Sequence, residues 1–268
     1  MKKTLWNSLL TLAVMGASLP VFADESSTAP GYDDTPFLPN SQWRVHDRNR
    51  PQPPRVDPGE GNPPAQPAMP PSDAIVLFDG RDLSQWRGGN EKGIEEGCIN
   101  IHKTGELYTR QSFGDCQLHV EWATPAVADG DRMEWGNSGV FFLGLYELQI
   151  IESHDSYIYA DGNAGAIYGQ TPALVNASRK PGQWQSFDAI FTAPKFDGER
   201  LVQPAYLTVL QNGVVVQYHQ AIIGPTVHRA LPKYDAASRI STGPIKLQEH
   251  GSNVRFRNIW IRPLKLSS

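Results

Sequence analysis

Cysteine is scarce in this chain: Cys98 and Cys116 are the only two in 268 residues. One pair is too few for a disulfide-stapled scaffold and makes a poor metal site by itself. Basic charge is not in excess either. Lys and Arg number 24 against 28 Asp and Glu, a formal net charge of −4, which argues against nucleic acid or anionic lipid as a partner. No H-x-x-x-H or similar ligand spacing occurs, no internal repeat is found, and helix signals are few. After the first two dozen residues no apolar run is long enough to predict a membrane span.

What the chain does have is strongly segregated along its length. Lys2 and Lys3 precede an apolar run, Leu9–Met15, and Ser18 to Ala23 supply a small-residue cleavage site. The pattern predicts a signal peptide over residues 1–23 and a periplasmic or secreted protein. Without the two lysines the formal charge becomes −6. In an oxidising compartment a Cys98–Cys116 disulfide is one expectation, and two free buried thiols are the other. Residues 24–73 then carry twelve prolines and few apolar side chains. Such a segment is expected to be a disordered or extended Pro-rich linker, or to lie along the domain surface with Phe37, Trp43 and Val45 as anchors. No catalytic residue is expected in it.

Residues 74–264 read as one domain rich in strands. Ala74–Phe78 is a short apolar run ending at Asp79-Gly80. In Cys116–Trp122, Cys116, Leu118, Val120 and Trp122 share one face and Gln117, His119 and Glu121 the other. Asn212-Gly213 between Tyr206–Gln211 and Val214–Tyr218 is a strong hairpin signal. Ile245–His250 alternates, and Asn253–Ile261 is a final strand. Short strands with Gly and Pro turns predict an all-β sandwich or jelly roll.

The stretch Asn137–His154 reads as a long strand interrupted by polar residues that a core strand does not need. Leu148 and Ile150 point to the core, so Glu147 and Gln149 share the opposite face. Glu152 falls on the core side unless a β-bulge near Ile150-Ile151 returns it to the face of Glu147. With that bulge, Glu147, Gln149 and Glu152 resemble the E-x-D-x-x-E pattern of laminarinase-like retaining glycosidases, although Gln149 stands where that pattern has Asp. Lys246, Gln248 and His250 share a face of their own strand, and His250 suits proton transfer near neutral pH. Glu147 and His250 are therefore the candidate catalytic pair. Asn137, Gln149, Tyr168 (between Gly165 and Gly169), Gln248, Trp184 and Glu152 are candidate substrate contacts. A divalent metal on Glu147 and His250, with help from Glu121 or His119, is an open alternative. No role is assigned to His102, His219 or His228.

Taken in order, Leu77-Phe78-Asp79-Gly80 with Leu83–Trp86, Asn137–Phe142, Tyr146–Ile150, Gly165–Tyr168, Pro181–Trp184, and Gly243–Gly251 with Val254–Ile259 resemble the 3-keto-disaccharide hydrolase family over roughly residues 74–264. The resemblance implies a concanavalin A-like jelly-roll sandwich of two antiparallel sheets. It also implies cleavage of glycosides oxidised at C3, usually after a partner sugar 3-oxidoreductase has acted. The family often has Arg where this chain has Leu143, so one sugar contact is expected to be missing. A retaining glycosidase and a non-catalytic carbohydrate-binding module remain as alternatives.

Overall fold

The computed structural model describes residues 30–265 apart from 61, 62, 64, 65 and 68. The leader expected over residues 1–23 lies outside the described residues. Two antiparallel sheets form a sandwich. The larger runs, in spatial order, Val214–Ala221, Tyr206–Gln211, Gln185–Thr192, Cys116–Ala123, Arg255–Pro263, Cys98–Asn100 and Ile94–Glu95, with Ile75–Phe78 also paired to Arg255–Pro263. The smaller runs Trp86–Arg87, Leu107–Thr109, Lys246–Leu247, Ser138–Phe142 and Tyr146–Ile150. Among the described residues the one α-helix is a single turn, Ile101–Thr104.

The alternation written in the strands builds the core between the sheets. Cys116, Leu118, Val120 and Trp122 are all buried there. From the facing sheet come Val140, Phe142, Tyr146, Leu148 and Ile150. Phe142 stacks on Phe191 across the layers at 4.8 Å between ring centroids. Burying such rings contributes on the order of 2–3 kcal/mol each. The Asn212-Gly213 turn joins its two strands with both residues at positive φ, 54° and 83°, the geometry a two-residue hairpin needs.

One expectation is corrected, and one pair of alternatives is decided. Asn137–His154 is not one long strand but a hairpin, Ser138–Phe142 paired in unbroken register with Tyr146–Ile150. Leu143 and Gly144 turn the chain at φ 55° and 71°, and Leu143 is buried in the core. Cys98 and Cys116 are free and buried. Their strands flank Arg255–Pro263 on opposite sides, and two strand spacings exceed the reach of a disulfide.

The described part of the proline-rich segment, from residue 30, is irregular, yet it is docked rather than detached. Tyr32 bridges Asp47, Phe37 bridges Arg44, and Arg55 bridges Asn176. Val45 and His46 are fully buried. Of the three suggested anchors Val45 is thus in the interior, whereas Phe37 is more than half exposed beneath the Arg44 guanidinium.

Candidate active site

Period-two alternation aims Glu147 and Gln149 away from the core, toward the outer face of the smaller sheet. Loops close over that face. The segment Gly165–Tyr168 caps the edge strand through backbone bonds: Gln149 N–H donates to the Ala166 carbonyl, and Tyr168 N–H to the Glu147 carbonyl. The result is a cleft of about 560 Å³, within the range of small-ligand sites.

Six of the candidate residues meet in this cleft. Glu147, Gln149, Asn137, Tyr168, Gln248 and His250 all line it. Glu147 is only 4% exposed. Burial pushes its carboxyl up to about 8, against a smaller opposing pull from Lys246. That lysine is engaged elsewhere, 3.0 Å from a Glu106 oxygen. The carboxylate lies directly over Gly139, where an added Cβ would stand 2.5 Å from Glu147 Oε1. Glycine at that position is therefore what makes room for the acid. Gln149 Nε2 donates to Asn137 Oδ1 at 3.3 Å, and Asn137 Nδ2 to the Met133 carbonyl at 2.9 Å. The other ends of two amides are left over. Gln149 Oε1 and Gln248 Oε1 are buried with no hydrogen-bond partner. A buried orphan acceptor costs about 1–3 kcal/mol, a cost that a hydroxylated ligand would relieve.

The opposite side of the cleft is aromatic. Tyr168 and Tyr159 share a 2.7 Å hydroxyl contact, and Tyr168 is 3.0 Å from His228 Nδ1. Burial raises both tyrosines well above their ordinary range. It also lowers His228, with smaller contributions from Arg229 and neighbouring imidazoles. His250 sits exposed at the mouth. The arrangement can hold a polar ring between amides and aromatic faces and present it with a carboxyl that titrates near neutrality.

Two candidates lie elsewhere. Glu152 is buried behind the cleft, accepting from Thr124 Oγ1 at 3.0 Å and from the backbone N–H groups of His154 and Asp155. No bulge carries it round, because the strand ends at Ile150. It caps a turn rather than facing Glu147, which removes the paired carboxylates that a retaining glycosidase requires. Trp184 stands on the outer face of the other sheet, beneath the guanidinium groups of Arg255 and Arg257. His119 and Glu121, raised as metal helpers, share that distant face. Among the described residues no group of three His, Cys, Asp or Glu side chains is placed to share a metal ion. Glu147 and His250 are therefore not joined by a third such side chain.

Sequence reasoning passed over His228, Thr226, Tyr159 and Tyr32, all of which line the cleft. Thr226 Oγ1 accepts the Glu147 backbone N–H at 3.0 Å. None of these lies on a strand that the pattern could orient. The doublet of Gly165 and Gly169 around Tyr168 is the one loop signal that pointed here.

The family model described as the 3-keto-alpha-glucoside-1,2-lyase-like domain matches residues 73–262. The chain belongs to this family. A curated relative, the 3-keto-disaccharide hydrolase of Bacteroides thetaiotaomicron, is 24% identical over 236 residues, which cover 71% of this chain and 78% of that protein. A crystal structure from Parabacteroides distasonis, provisionally described as a glycosyl hydrolase, is 40% identical with a TM-score of 0.67, covering 72% of this chain and 84% of that one. A further structure from the same organism, 22% identical with a TM-score of 0.50 over 71% of this chain and 99% of its own, shares the fold. The 3-keto-alpha-glucoside-1,2-lyase-like family and these relatives place the chain among carbohydrate-active hydrolases and lyases. The expected sandwich is the one observed, and the family domain begins only where the docked N-terminal segment ends.

Proposed function

We propose that the protein cleaves the glycosidic bond of 3-keto-glycosides by elimination and rehydration, with Glu147 as the base. The observation that carries this reading is the buried Glu147 carboxyl, held near 8 by desolvation at the base of a cleft with orphan amide acceptors. A ketone at C3 acidifies the C2 proton. A carboxylate whose conjugate acid sits near 8 is a far stronger base than an ordinary one and is matched to working pH. Glu147 takes the C2 proton, and the electron pair moves into an enolate at the C3 oxygen. The C1–O bond then breaks, with His250 at the mouth protonating the leaving oxygen. The product is an enone across C1, C2 and C3. Water adds at C1, and the proton returns to C2, which completes a net hydrolysis. Asn137, Gln149, Gln248 and Tyr168 orient the ring, and the amide N–H groups not used within the protein are available to the enolate oxygen.

This chemistry demands that an oxidation at C3 of the sugar precede it, so a sugar 3-oxidoreductase is the expected supplier of substrate. The basic, then apolar, start of the chain supports export to the periplasm or beyond. A mature protein beginning after Ala23 in the periplasmic fraction is the expected finding, and a cytoplasmic protein retaining Met1–Ala23 would refute it.

The deciding experiment compares a 3-keto disaccharide with its unoxidised parent, using wild type and Glu147→Gln. Cleavage of the keto sugar alone, reduced at least ~100-fold in the variant, is expected. Cleavage of the parent sugar, or an unaffected variant, would overturn the mechanism. Saturable binding of the keto sugar without turnover would favour a carbohydrate-binding module.

A further inference from the structure

The family domain begins at residue 73, yet a residue far upstream of it lines the cleft. That residue is Tyr32. Its backbone N–H donates to the His46 carbonyl at 2.8 Å, and its carbonyl accepts from Arg48 N–H at 3.2 Å. The Arg229 guanidinium lies 4.1 Å from the centre of its ring. Arg229 is held in turn by Asp34 through two 2.9 Å hydrogen bonds. Directly behind, the fully buried His46 ring packs 4.0 Å from Tyr159 and 4.8 Å from Tyr168, with Nδ1 on Asp161 at 3.2 Å. Backbone pairing therefore places the residue, and an ion-paired cation over the ring, with the His46 ring 6.1 Å from it between centroids, holds the side chain. A surface strap needs none of this at the mouth of a cleft.

The two sides of the cleft are chemically unlike. One presents Glu147, Gln149 and Gln248; the other presents the rings of Tyr32, Tyr159 and Tyr168. A pyranose is unlike in the same sense, with hydroxyls around its rim and an apolar C–H face. A rigid aromatic face supplies contact area at little cost in side-chain entropy. Resting on the reading of the cleft as a glycoside site, we propose that Tyr32 is a sugar-contacting, specificity-determining residue. The N-terminal segment is then a working part of the active site.

The test measures calorimetric affinity for a 3-keto disaccharide in a Glu147→Gln background, beside steady-state kinetics in the Glu147 protein. Tyr32→Ala is expected to weaken affinity and raise KM by ~10-fold or more while kcat stays within ~3-fold, and Tyr32→Phe to behave as wild type. Arg229→Gln, which frees the ring without removing it, should fall between the two. An alanine variant that melts with the wild type and binds equally well would overturn the proposal. Should that variant fail to fold, unchanged affinity in Arg229→Gln would overturn it instead. Binding by the Glu147 protein with no turnover would sink the cleavage reading alone, and Tyr32 would still be judged on affinity. No saturable binding by any form would overturn Tyr32 as well.

Discussion

Each sheet of this sandwich carries a buried polar cluster on its outer face, and the two clusters have opposite electrostatics. On the larger sheet His119, Asp188, Glu121 and Arg257 answer one another. His119 Nδ1 meets Asp188 at 2.7 Å, Arg257 Nε meets Glu121 at 2.6 Å, and Asn258 Nδ2 donates to the other Glu121 oxygen at 2.8 Å. Burial works against the charge on His119, but its bonds to Asp188 and Glu121 prevail and hold it up at about 9. Burial likewise opposes the Glu121 charge, and hydrogen bonds from His119, Asn258 and Arg257 outweigh it. On the smaller sheet Glu147 is pushed the other way, and two amide oxygens beside it are orphaned. Two polar clusters of similar burial thus serve different ends. The completed one fixes a sheet, and the incomplete one waits for a ligand.

The contrast can be broken from either side. Glu147→Gln should have the largest effect on stability, and that effect should depend on pH. Glu147 is protonated in both folded and unfolded states below its ordinary value of 4.5, so it costs nothing there. As pH rises from 4.5 through about 8 the folded state holds a proton that the unfolded state has lost, and stability falls. Above that window the amide variant should be more stable by up to ~5 kcal/mol and at pH 4 nearly unchanged, as read by denaturant titration at both pH values. Glu121→Gln should do the reverse. Stripping the partner from His119 and Arg257 is expected to cost about 3 kcal/mol, with kcat/KM for the keto sugar unaltered. Gly139→Ala should displace the Glu147 carboxylate and lower kcat/KM by ~100-fold, with a much smaller change in melting temperature. Gln149→Leu deletes an orphan acceptor, so stability should move by no more than ~1 kcal/mol while KM rises about 10-fold. A Glu121 variant that lost activity, or a Gln149 variant that unfolded, would erase the distinction between the clusters.

Where alternation governs, the sequence was legible. The inward faces of Cys116–Ala123 and Tyr146–Ile150, the Asn212-Gly213 turn and the outward pair Glu147 and Gln149 all follow from a period of two. Leu143 hid the hairpin, because a leucine at positive φ carries no turn signal and the apolar run continues through it. Glu152 was misplaced for a related reason. Its partners are Thr124 and two backbone N–H groups beyond the strand, and no local pattern encodes them. Trp184 could be read as a sugar platform only until the strands beside it set Arg255 and Arg257 over its ring. Tyr32 and His228 were invisible because they meet across nearly two hundred residues of chain, at a site defined by docking rather than by periodicity.

That docking imposes an order of events on the nascent chain. The seat of His46 is built from Tyr159, Asp161, Tyr168 and His228, all synthesised more than a hundred residues after it. His46 must therefore stay undocked until most of the chain has been made. Twelve prolines between residues 24 and 73 suit that wait. Proline favours a solvated extended backbone and withholds N–H donors, so the segment makes a poor partner for the open edges of a growing sheet.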